Sequence, residues 1–576
     1  MRKPNIVFVL TDDQGYGDLG CHGNPTLKTP ALDAFHGEAL RFTDFHVGPT
    51  CAPTRAGLMT GHYANSTGVW HTIGGRSLLR KNEWTLPQAL RENGYRTGIF
   101  GKWHLGDATP YRPQDRGFER VVVHGGGGIS QTPDHWGNDY FDDTYSVDGV
   151  PTPFTGYCTE VFFAEAKSWI AEHRDEPFFC YLAPNAPHAP YNVPLLWSEP
   201  YRGKVPESRA RFYGMIANLD AQFAHLREHL RRLDLERDTI LIFMTDNGTS
   251  GGCDLDREGF VVGGWNAGLR GIKNSPYEGG HRVPFFLRYP AGGIGASRDI
   301  ADLTANVDVM PTLLELCGVD AGAHAFHGRS LAPLLKGGSL PPRAVVTDSQ
   351  RLVQPVKWRQ SAVMEGPWRL IDGKELYEVD SDREQRRDLA AGDPARVARL
   401  RAEYEKWWEL VSTQVDETIP LSLGGPGETC LTSHDWRGDV GECAWSQADV
   451  RAGKRCNSYL EVMVERAGRY RFELRRWPRE AGHALARGIE GSDVPWRRGE
   501  VDPKYHAYYE GGAALPLVHA RLSIAGQEVE APLDPDSASV SFALNLPLGE
   551  TRLQTWLLGV AGLSLGAYYV YVNIEE

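Results

Sequence analysis

The sequence predicts an α/β protein with a large mixed, mostly parallel sheet sandwiched by helices. Residues 6–10 and 239–244 are uninterrupted apolar runs rich in β-branched side chains, which is typical of strands buried on both faces. A long segment with helical periodicity, residues 209–233, leads into the second run. Beyond residue 421 the pattern changes to short alternating strands separated by turns, so we expect an appended antiparallel β-sandwich.

The remaining elements of the α/β part are predicted from start and stop signals. Thr85 opens a helix that Gly94 closes. Residues 160–173 repeat aromatic and aliphatic side chains with helical spacing. Further strands of the same apolar character are predicted at residues 95–100, 177–182 and 285–289.

The chain of 576 residues is long enough for several domains, and its pattern predicts three. They are an α/β domain at 1–340, a small α+β subdomain at 341–420 and an accessory β-sandwich at 421–576. In the subdomain, Asp372-Gly373 marks a hairpin turn, and residues 395–411 form its helix. Three evenly spaced cysteines in the last part are either a disulfide plus one thiol or ordinary buried thiols, and the second interpretation is favoured. They are Cys430, Cys443 and Cys456.

Composition excludes several classes of function. The formal net charge of −13 argues against a nucleic-acid partner, which needs clustered basic side chains. No apolar run is long enough to span a membrane, and no signal-peptide core precedes the first strand, so the sequence as it stands predicts a cytoplasmic protein. A periplasmic or secreted protein whose signal has been removed would begin in the same way.

Oxygen-bearing side chains follow two of the predicted buried strands. Asp12 and Asp13 come after the first run, and Asp246 and Asn247 come after the run at 239–244. Parallel strands present their carboxyl ends at one edge of a sheet, so these side chains are expected to meet there. Carboxylate and amide oxygens suit a hard divalent cation, Ca²⁺ or Mg²⁺. The alternative is that they are ordinary turn and capping residues.

Other polar candidates occupy equivalent positions. Lys102 and His104 follow the strand at 95–100, and His188 follows the strand at 177–182. A single loop histidine is usually a solvated surface residue, but the repeated placement favours a functional role for His188.

Cys51 is predicted to lie at the N-terminus of a helix, because Pro53 suits the first helical turn and apolar residues continue it. The free backbone N–H groups of that turn, together with Arg55 one turn later, favour an anion. On composition alone, a cysteine in this setting would be an inert core residue.

Two motifs change that interpretation. Cys51 begins the pattern C-x-P-x-R-x-x-x-x-T-G, and Gly94 begins the run GYRTGIFGKWH that ends at His104. Together they resemble the two signatures of the type I sulfatases of the alkaline phosphatase superfamily, and the resemblance extends to about residue 410. It implies an alkaline phosphatase-like fold and hydrolysis of a sulfate ester.

The resemblance also implies roles for individual residues. Cys51 would be oxidised to formylglycine by a maturing enzyme, and its hydrate would be the nucleophile. A divalent metal, Ca²⁺ or alternatively Mg²⁺, would be held by residue 51 together with Asp12, Asp13, Asp246 and Asn247. Arg55, Lys102 and Lys273 would bind the sulfate. His188 would protonate the leaving oxygen, and His104 would take a proton from the second hydroxyl of the hydrate.

One further segment is open to more than one interpretation. Residues 124–143 are rich in glycine, acids and aromatics, and form either a loop packed on itself or a specificity loop that holds sugar hydroxyls and rings. His281 receives no role, and the helix around Asp308 is predicted to be structural.

The substrate is expected to be a sulfated carbohydrate, with a simple aryl sulfate as the other possibility. The nearest rival is a formylglycine-dependent phosphonate monoester or phosphodiester hydrolase, since the motifs are shared. A rival of another class is a catalytically silent protein whose β-sandwich binds glycans.

Overall fold

In the computed structural model, which describes residues 3–495 and 499–575, the main feature is a ten-stranded sheet. Met1, Arg2 and Glu576, at the ends of the predicted domains, lie outside the described residues, as do residues 496–498. Across the sheet the strands run in the order Arg298–Ile300, Leu40–Phe42, Phe285–Arg288, Thr239–Thr245, Asn5–Thr11, Phe178–Ala183, Arg96–Lys102, Arg120–His124, Thr144–Val147 and Val150–Pro153.

The centre of this sheet is parallel. Asn5–Thr11 lies between Phe178–Ala183 and Thr239–Thr245, with Val7 opposite both Cys180 and Leu241. The two apolar runs that predicted buried strands are fully buried over their whole length. Apolar cores pack on both faces of the sheet. The predicted fold class, a mostly parallel sheet between helices, is therefore confirmed.

Antiparallel pairs on both sides of the parallel centre give the sheet its mixed character, although the edge strand Arg298–Ile300 runs parallel to its neighbour Leu40–Phe42. Phe285–Arg288 pairs antiparallel with Thr239–Thr245. At the other edge, the hairpin of Thr144–Val147 and Val150–Pro153 was not predicted, because its second strand holds two prolines and is largely exposed.

The described α-helices cover the sheet faces or connect the smaller sheets. Their bounds are Pro30–Glu38, Cys51–Thr60, Leu86–Glu92, Cys158–Glu172, Leu195–Ser198, Glu207–Arg232, Glu278–His281, Val309–Leu316, Ala332–Leu335, Pro394–Val411 and Gln447–Ala452. None of the helices in the described ranges is both long and apolar enough to cross a membrane.

A four-stranded antiparallel sheet follows the main sheet, with Pro394–Val411 packed against it. Its hairpin turns at Asp372-Gly373, as the sequence indicated. In order, its strands are Val345–Asp348, Ser361–Glu365, Trp368–Ile371 and Glu375–Glu378.

The last part of the chain forms two further sheets around a shared apolar core. One holds Leu421–Leu423, Tyr459–Val464, Gly549–Gly559, Leu517–Ile524 and Gln527–Pro532, with Ser564–Leu565 attached. The other holds Thr429–Thr432, Tyr569–Glu575, Gly468–Arg475 and Val540–Leu546. Pairing is antiparallel except between Leu421–Leu423 and Tyr459–Val464, which run parallel. All nine cysteines are free thiols, and Cys430 is exposed rather than buried.

Two-stranded pairs complete the described sheets: Cys253–Leu255 with Val261–Gly264, Phe45–His46 with Thr304–Ala305, and Ile489–Ser492 with Glu510–Gly512. The core between the C-terminal sheets also takes in Ile73 and Trp136, which come from the α/β part. The C-terminal sheets therefore pack against loops of the α/β part. The exact domain boundaries at 340 and 420 stay a prediction.

Candidate active site

The carboxyl edge of the central strands brings the predicted oxygen ligands together. Asp12, Asp13, Asp246 and Asn247 are all buried there. Oxygen atoms of Asp12 and Asp246 and the sulfur of Cys51 lie within 4.8 Å of one another. The strands Asn5–Thr11 and Thr239–Thr245 are direct neighbours, which is why two acidic pairs far apart in sequence converge.

Three basic side chains neutralise these acids. Lys102 Nζ lies 2.7 Å from Asp12 Oδ2, and Lys273 Nζ lies 2.7 Å from Asp13 Oδ1. The guanidinium of Arg55 contacts Asp246 Oδ2 through Nη2 at 2.8 Å. Charged groups this deeply buried are stable only when they are paired, so the whole set forms one network of alternating charge.

The pKa values of Asp13 and Asp246 shift in opposite directions because their surroundings differ. Burial raises the pKa of Asp13, but the Lys273 ammonium, with His188 and Lys102, outweighs it and holds that pKa well below its usual range. Burial and the neighbouring Asp12 carboxylate raise the pKa of Asp246 to about 6, against the opposing charge of Arg55. The acids at this edge thus repel one another, and an added cation would relieve that repulsion.

The site contains oxygen atoms that lack partners. Within the described residues, Asp12 Oδ1 and Asn247 Oδ1 are buried without any hydrogen-bond donor. Asn247 directs its Nδ2 to Asp13 Oδ1 at 2.9 Å, which leaves its own carbonyl oxygen unused. Buried orphan oxygens are rare in proteins, and here both belong to the predicted metal ligands. The residues present therefore fit a hard divalent cation.

Cys51 is the first residue of the buried helix Cys51–Thr60 and is only 2% exposed. Burial raises the pKa of its thiol, although Lys102 and Lys273 act in the opposite direction. The thiol therefore stays protonated near neutral pH, and a protonated thiol is a weak nucleophile. As it stands, residue 51 is well placed beside the charge network but chemically unreactive.

His104 follows the strand Arg96–Lys102 and has a positive φ of 62°. Its Nε2 lies 2.8 Å from the carbonyl oxygen of Thr72, so Nε2 carries the proton of the neutral ring. Nδ1 then holds the lone pair, and it has no partner in the described part of the chain. Burial and the charge of Lys102 keep the pKa of His104 well below its usual value. His104 is thus held as a neutral base.

His188 lies in the loop after Phe178–Ala183. Its Nδ1 lies 2.6 Å from the carbonyl oxygen of Ala189, and its Nε2 lies 3.7 Å from Asp13 Oδ2. Burial lowers the pKa of His188 to about 3, although the Asp13 carboxylate acts against this shift. Nε2 is therefore the nitrogen that faces the acidic edge.

A glycine-rich stretch lies directly over both histidines. A Cβ atom at Gly127 would lie 2.3 Å from His104 Cε1, and one at Gly128 would lie 3.0 Å from His188 Cε1. Only glycine allows the backbone to pass this close to the two rings. The 124–143 loop thus contacts the site through its backbone at these glycines, and Tyr140 of the same loop donates its hydroxyl hydrogen to the His188 carbonyl at 2.6 Å.

Comparison with known proteins agrees with this geometry. A family model described as Sulfatase matches residues 4–319, which is more than half of the chain. This chain belongs to the sulfatase family. It is 32% identical to human arylsulfatase A over 366 residues, covering 59% of this chain and 69% of that protein. It is 30% identical to human N-acetylgalactosamine-6-sulfatase over 371 residues, with 60% and 68% covered.

Solved structures show the same fold. Ps i-CgsB in complex with k-i-k-neocarrahexaose superposes with a TM-score of 0.62 at 24% identity, covering 72% of this sulfatase and 98% of that chain.

The close approach at Gly127 leads to a prediction. Gly127→Ala would push a methyl group into His104 and disturb its contact with the Thr72 carbonyl, so we expect kcat/KM to fall about 10- to 100-fold. Gly37→Ala is the matched control, because nothing lies within 4 Å of its added methyl group. Steady-state assays of both variants, with thermal midpoints, check this. Equal activity of Gly127→Ala and the wild type would contradict the assigned contact.

Several acids and aromatics of the 124–143 loop contact other parts of the protein, which argues against a sugar-binding role for them. Trp136 is buried against Trp477 and donates its Nε1–H to Asp493 at 2.7 Å. Asp143 accepts hydrogen bonds from the backbone of Asp139 and Tyr140. These contacts favour the self-packed interpretation for this half of the loop in this sulfatase.

Two contacts at the site were missed by sequence reasoning. The Thr72 carbonyl orients His104, and the ring of His434 lies 6.3 Å from that of His104. Neither residue stands in a motif or after a predicted strand. His281, which received no role, packs with its Nδ1 2.9 Å from His46 Nδ1, and Asp308 forms an ion pair with Arg343.

Proposed function

We propose that this sulfatase removes sulfate from a sulfated carbohydrate, with residue 51 in its formylglycine form and a divalent cation at the acidic edge. The observation that carries the proposal is the meeting of Cys51 with three carboxylates and three basic groups in one buried network. Such an arrangement offers a nucleophile position, metal ligands and sulfate-binding charges within a few ångströms.

Asp12, Asp13, Asp246 and Asn247, with residue 51, would hold the cation. Ca²⁺ is our first choice because it accepts many protein ligands at once, whereas Mg²⁺ usually keeps several water ligands. When bound, the cation neutralises the acids and lowers the pKa of an oxygen beside it. The orphan oxygens of Asp12 and Asn247 support this assignment.

Formylglycine at position 51 explains why a buried, protonated thiol occupies the site. Its hydrate supplies an attacking hydroxyl and a second hydroxyl that later allows sulfate to leave, which a thiol lacks. The conversion requires a maturing enzyme as a partner of the unfolded or partly folded chain. Such conversion would also replace the sulfur by oxygen next to the cation.

The basic groups would bind the sulfate. Lys102 and Lys273 each contact one acid of the network, so their charges can shift toward a sulfate once the cation neutralises those acids. Arg55 is tied to Asp246 and to the carbonyl oxygen of Lys102, so its main contribution is to fix the ligand Asp246 and to add positive potential.

The two histidines would handle protons. His188 presents Nε2 toward Asp13 and would deliver a proton to the departing alcohol oxygen, after the negative charge of a bound sulfate ester favours its protonated form. His104 presents the unpartnered Nδ1 lone pair and would accept a proton from the second hydroxyl of residue 51. The Thr72 carbonyl keeps that lone pair on the correct nitrogen.

A carbohydrate substrate is supported by two comparisons. One relative is named for N-acetylgalactosamine 6-sulfate, and one similar structure holds a neocarrahexaose. Other relatives are named arylsulfatases, so aryl sulfates stay the alternative substrate class.

Substrate comparison tests the proposal against the phosphonate monoester or phosphodiester hydrolase. Residue 51 and Lys102 are buried, so the second organic group of a phosphodiester would have to enter the closed part of the site. With protein matured by a formylglycine-generating enzyme, we expect kcat/KM for 4-nitrophenyl sulfate to exceed that for bis(4-nitrophenyl) phosphate by at least about 100-fold. A reversed preference would favour the phosphodiesterase. No turnover of either ester or of any sulfated sugar would favour a silent glycan-binding protein.

A further inference from the structure

The C-terminal part of the chain places one histidine beside the candidate active site. His434 lies in the short turn Ser433–Asp435, directly after the strand Thr429–Thr432. Ser433 donates its backbone N–H to Tyr568, and the His434 carbonyl accepts the N–H of Gly74 at 2.8 Å. These bonds fix His434 against the segment that also carries Thr72, the residue that orients His104.

The ring of His434 has one satisfied and one unsatisfied nitrogen. Nδ1 lies 3.2 Å from the carboxylate of Asp435, which can only accept, so the proton of the neutral ring is on Nδ1. Nε2 therefore carries a lone pair. The side chain is 1% exposed, and among the described residues Nε2 has no hydrogen-bond partner.

His71 shows the opposite arrangement next to it. Its Nδ1 accepts the backbone N–H of Thr72 at 2.6 Å, so its proton lies on Nε2. That Nε2 is also buried without a partner in the described part of the chain. Burial lowers the pKa of His71 to about 3, and the charge of Arg351 contributes to this shift. His71 therefore stays neutral and offers a donor in the neighbourhood where His434 offers an acceptor.

We propose that Nε2 of His434 accepts a hydrogen bond from a substrate hydroxyl close to the sulfate ester, and that this contact selects sulfated sugars over aryl sulfates. A hydroxyl can donate its hydrogen to the lone pair of His434 Nε2. An anionic oxygen cannot donate to His434, and an aryl ring has no such hydroxyl. This inference rests on the proposed function, and it adds a specificity residue that the C-terminal part of the chain supplies.

The test compares two substrate types in the full-length, matured protein. The probes are 4-nitrophenyl sulfate and a panel of galactose, N-acetylgalactosamine and glucosamine monosulfates with the ester at O2, O4 or O6. The variants are His434→Phe, which keeps a ring without nitrogens, and His434→Gln, whose side-chain oxygen can replace the Nε2 acceptor. His519→Phe and His519→Gln are matched controls, because His519 is exposed on the strand Leu517–Ile524.

We expect His434→Phe to lower the ratio of kcat/KM on the best sugar to kcat/KM on 4-nitrophenyl sulfate by about 10- to 100-fold, mainly through KM. His434→Gln should restore most of that ratio, and the His519 variants should not change it. An equal loss on both substrates would show that His434 only supports His104, and would overturn the inference. Wild-type turnover of the aryl ester but of no sugar would also overturn it, while leaving sulfatase activity intact. Failure on every ester would instead count against the proposed function.

Discussion

Cys51→Ala should lower sulfate release from any ester by about 10⁴-fold or more, because the variant loses the atom from which the nucleophile is made. The remaining charge network would still bind sulfate but could not attack it. The measurement is release of 4-nitrophenol and of inorganic sulfate by protein that was produced together with a maturing enzyme. We expect the variant to fold, since only a sulfur atom at a helix start is removed.

The matched control for this variant is Cys317→Ala. Cys317 is also a buried free thiol, but it lies in the core beyond the helix Val309–Leu316, so we expect its activity to stay within about threefold of the wild type. The mass of the tryptic peptide that ends at Arg55 should show an aldehyde in place of the thiol in active protein. Wild-type turnover by Cys51→Ala, or an active protein with an unmodified thiol, would refute the assignment.

The site could be predicted where its residues follow strands. Asp12 and Asp246 come directly after buried apolar strands, and His188 lies five residues beyond the end of another. Parallel strands bring such positions to one edge whatever their separation in sequence. The helix start at Cys51 is equally local, since Pro53 and the following apolar residues specify it. Local sequence patterns of this kind are therefore enough to predict where these residues lie.

The rest of the site depends on contacts that no local pattern encodes. Thr72 contacts His104 through a backbone carbonyl, which any residue type could supply. His434 reaches the same ring from a separate sheet near the end of the chain. The unpartnered state of its Nε2 is set by Asp435 and by the surrounding packing, so it is visible only once the chain is folded.

The same contrast, between what local sequence patterns predict and what depends on the folded chain, applies to the fold. Central strands such as Asn5–Thr11 are predicted because burial on both faces demands a continuous apolar run. The edge strand Val150–Pro153 is largely exposed and proline-rich, so its sequence resembles a loop. The parallel pairing of Leu421–Leu423 with Tyr459–Val464 depends on how the chain crosses between sheets, which the alternation of side chains does not specify.

Arg369→Met should destabilise the protein by about 3–5 kcal/mol, because it leaves buried carboxylates without their main partner. Arg369 lies on the strand Trp368–Ile371 and is fully buried. Its Nε contacts Glu278 Oε1 at 2.7 Å, and its Nη2 contacts Asp44 Oδ1 at 2.7 Å. These bonds join the four-stranded sheet to the helix Glu278–His281 and to the segment that follows the strand Leu40–Phe42 of the main sheet. Arg282 also contacts both acids, so the loss of Arg369 removes part of their compensation.

The midpoint of urea unfolding, followed by tryptophan fluorescence, measures this loss. The matched control is Arg399→Met, which breaks the partly exposed pair with Glu365 and should cost at most about 1 kcal/mol. Adding Glu278→Gln to Arg369→Met should cost less than the sum of the two single changes, because it removes one of the stranded charges. Strict additivity would contradict the proposed coupling.

The pH dependence of the Arg369→Met defect follows from the sign of the pKa shifts. Burial raises the pKa of both Asp44 and Glu278, but Arg369 outweighs burial and holds both pKa values well below their usual range. A depressed carboxyl pKa stabilises the folded state above its ordinary value, and this stabilisation is lost as pH falls toward the folded value. The unfolded carboxyls are the same in both proteins, so the folded-state pKa values alone decide how the difference in unfolding free energy varies with pH. Without Arg369 the two carboxyls of the variant take up protons at a higher pH than those of the wild type, so the difference should be largest at neutral pH and shrink on acidification. A difference that stays constant on acidification would show that Arg369 stabilises this contact by packing rather than by charge.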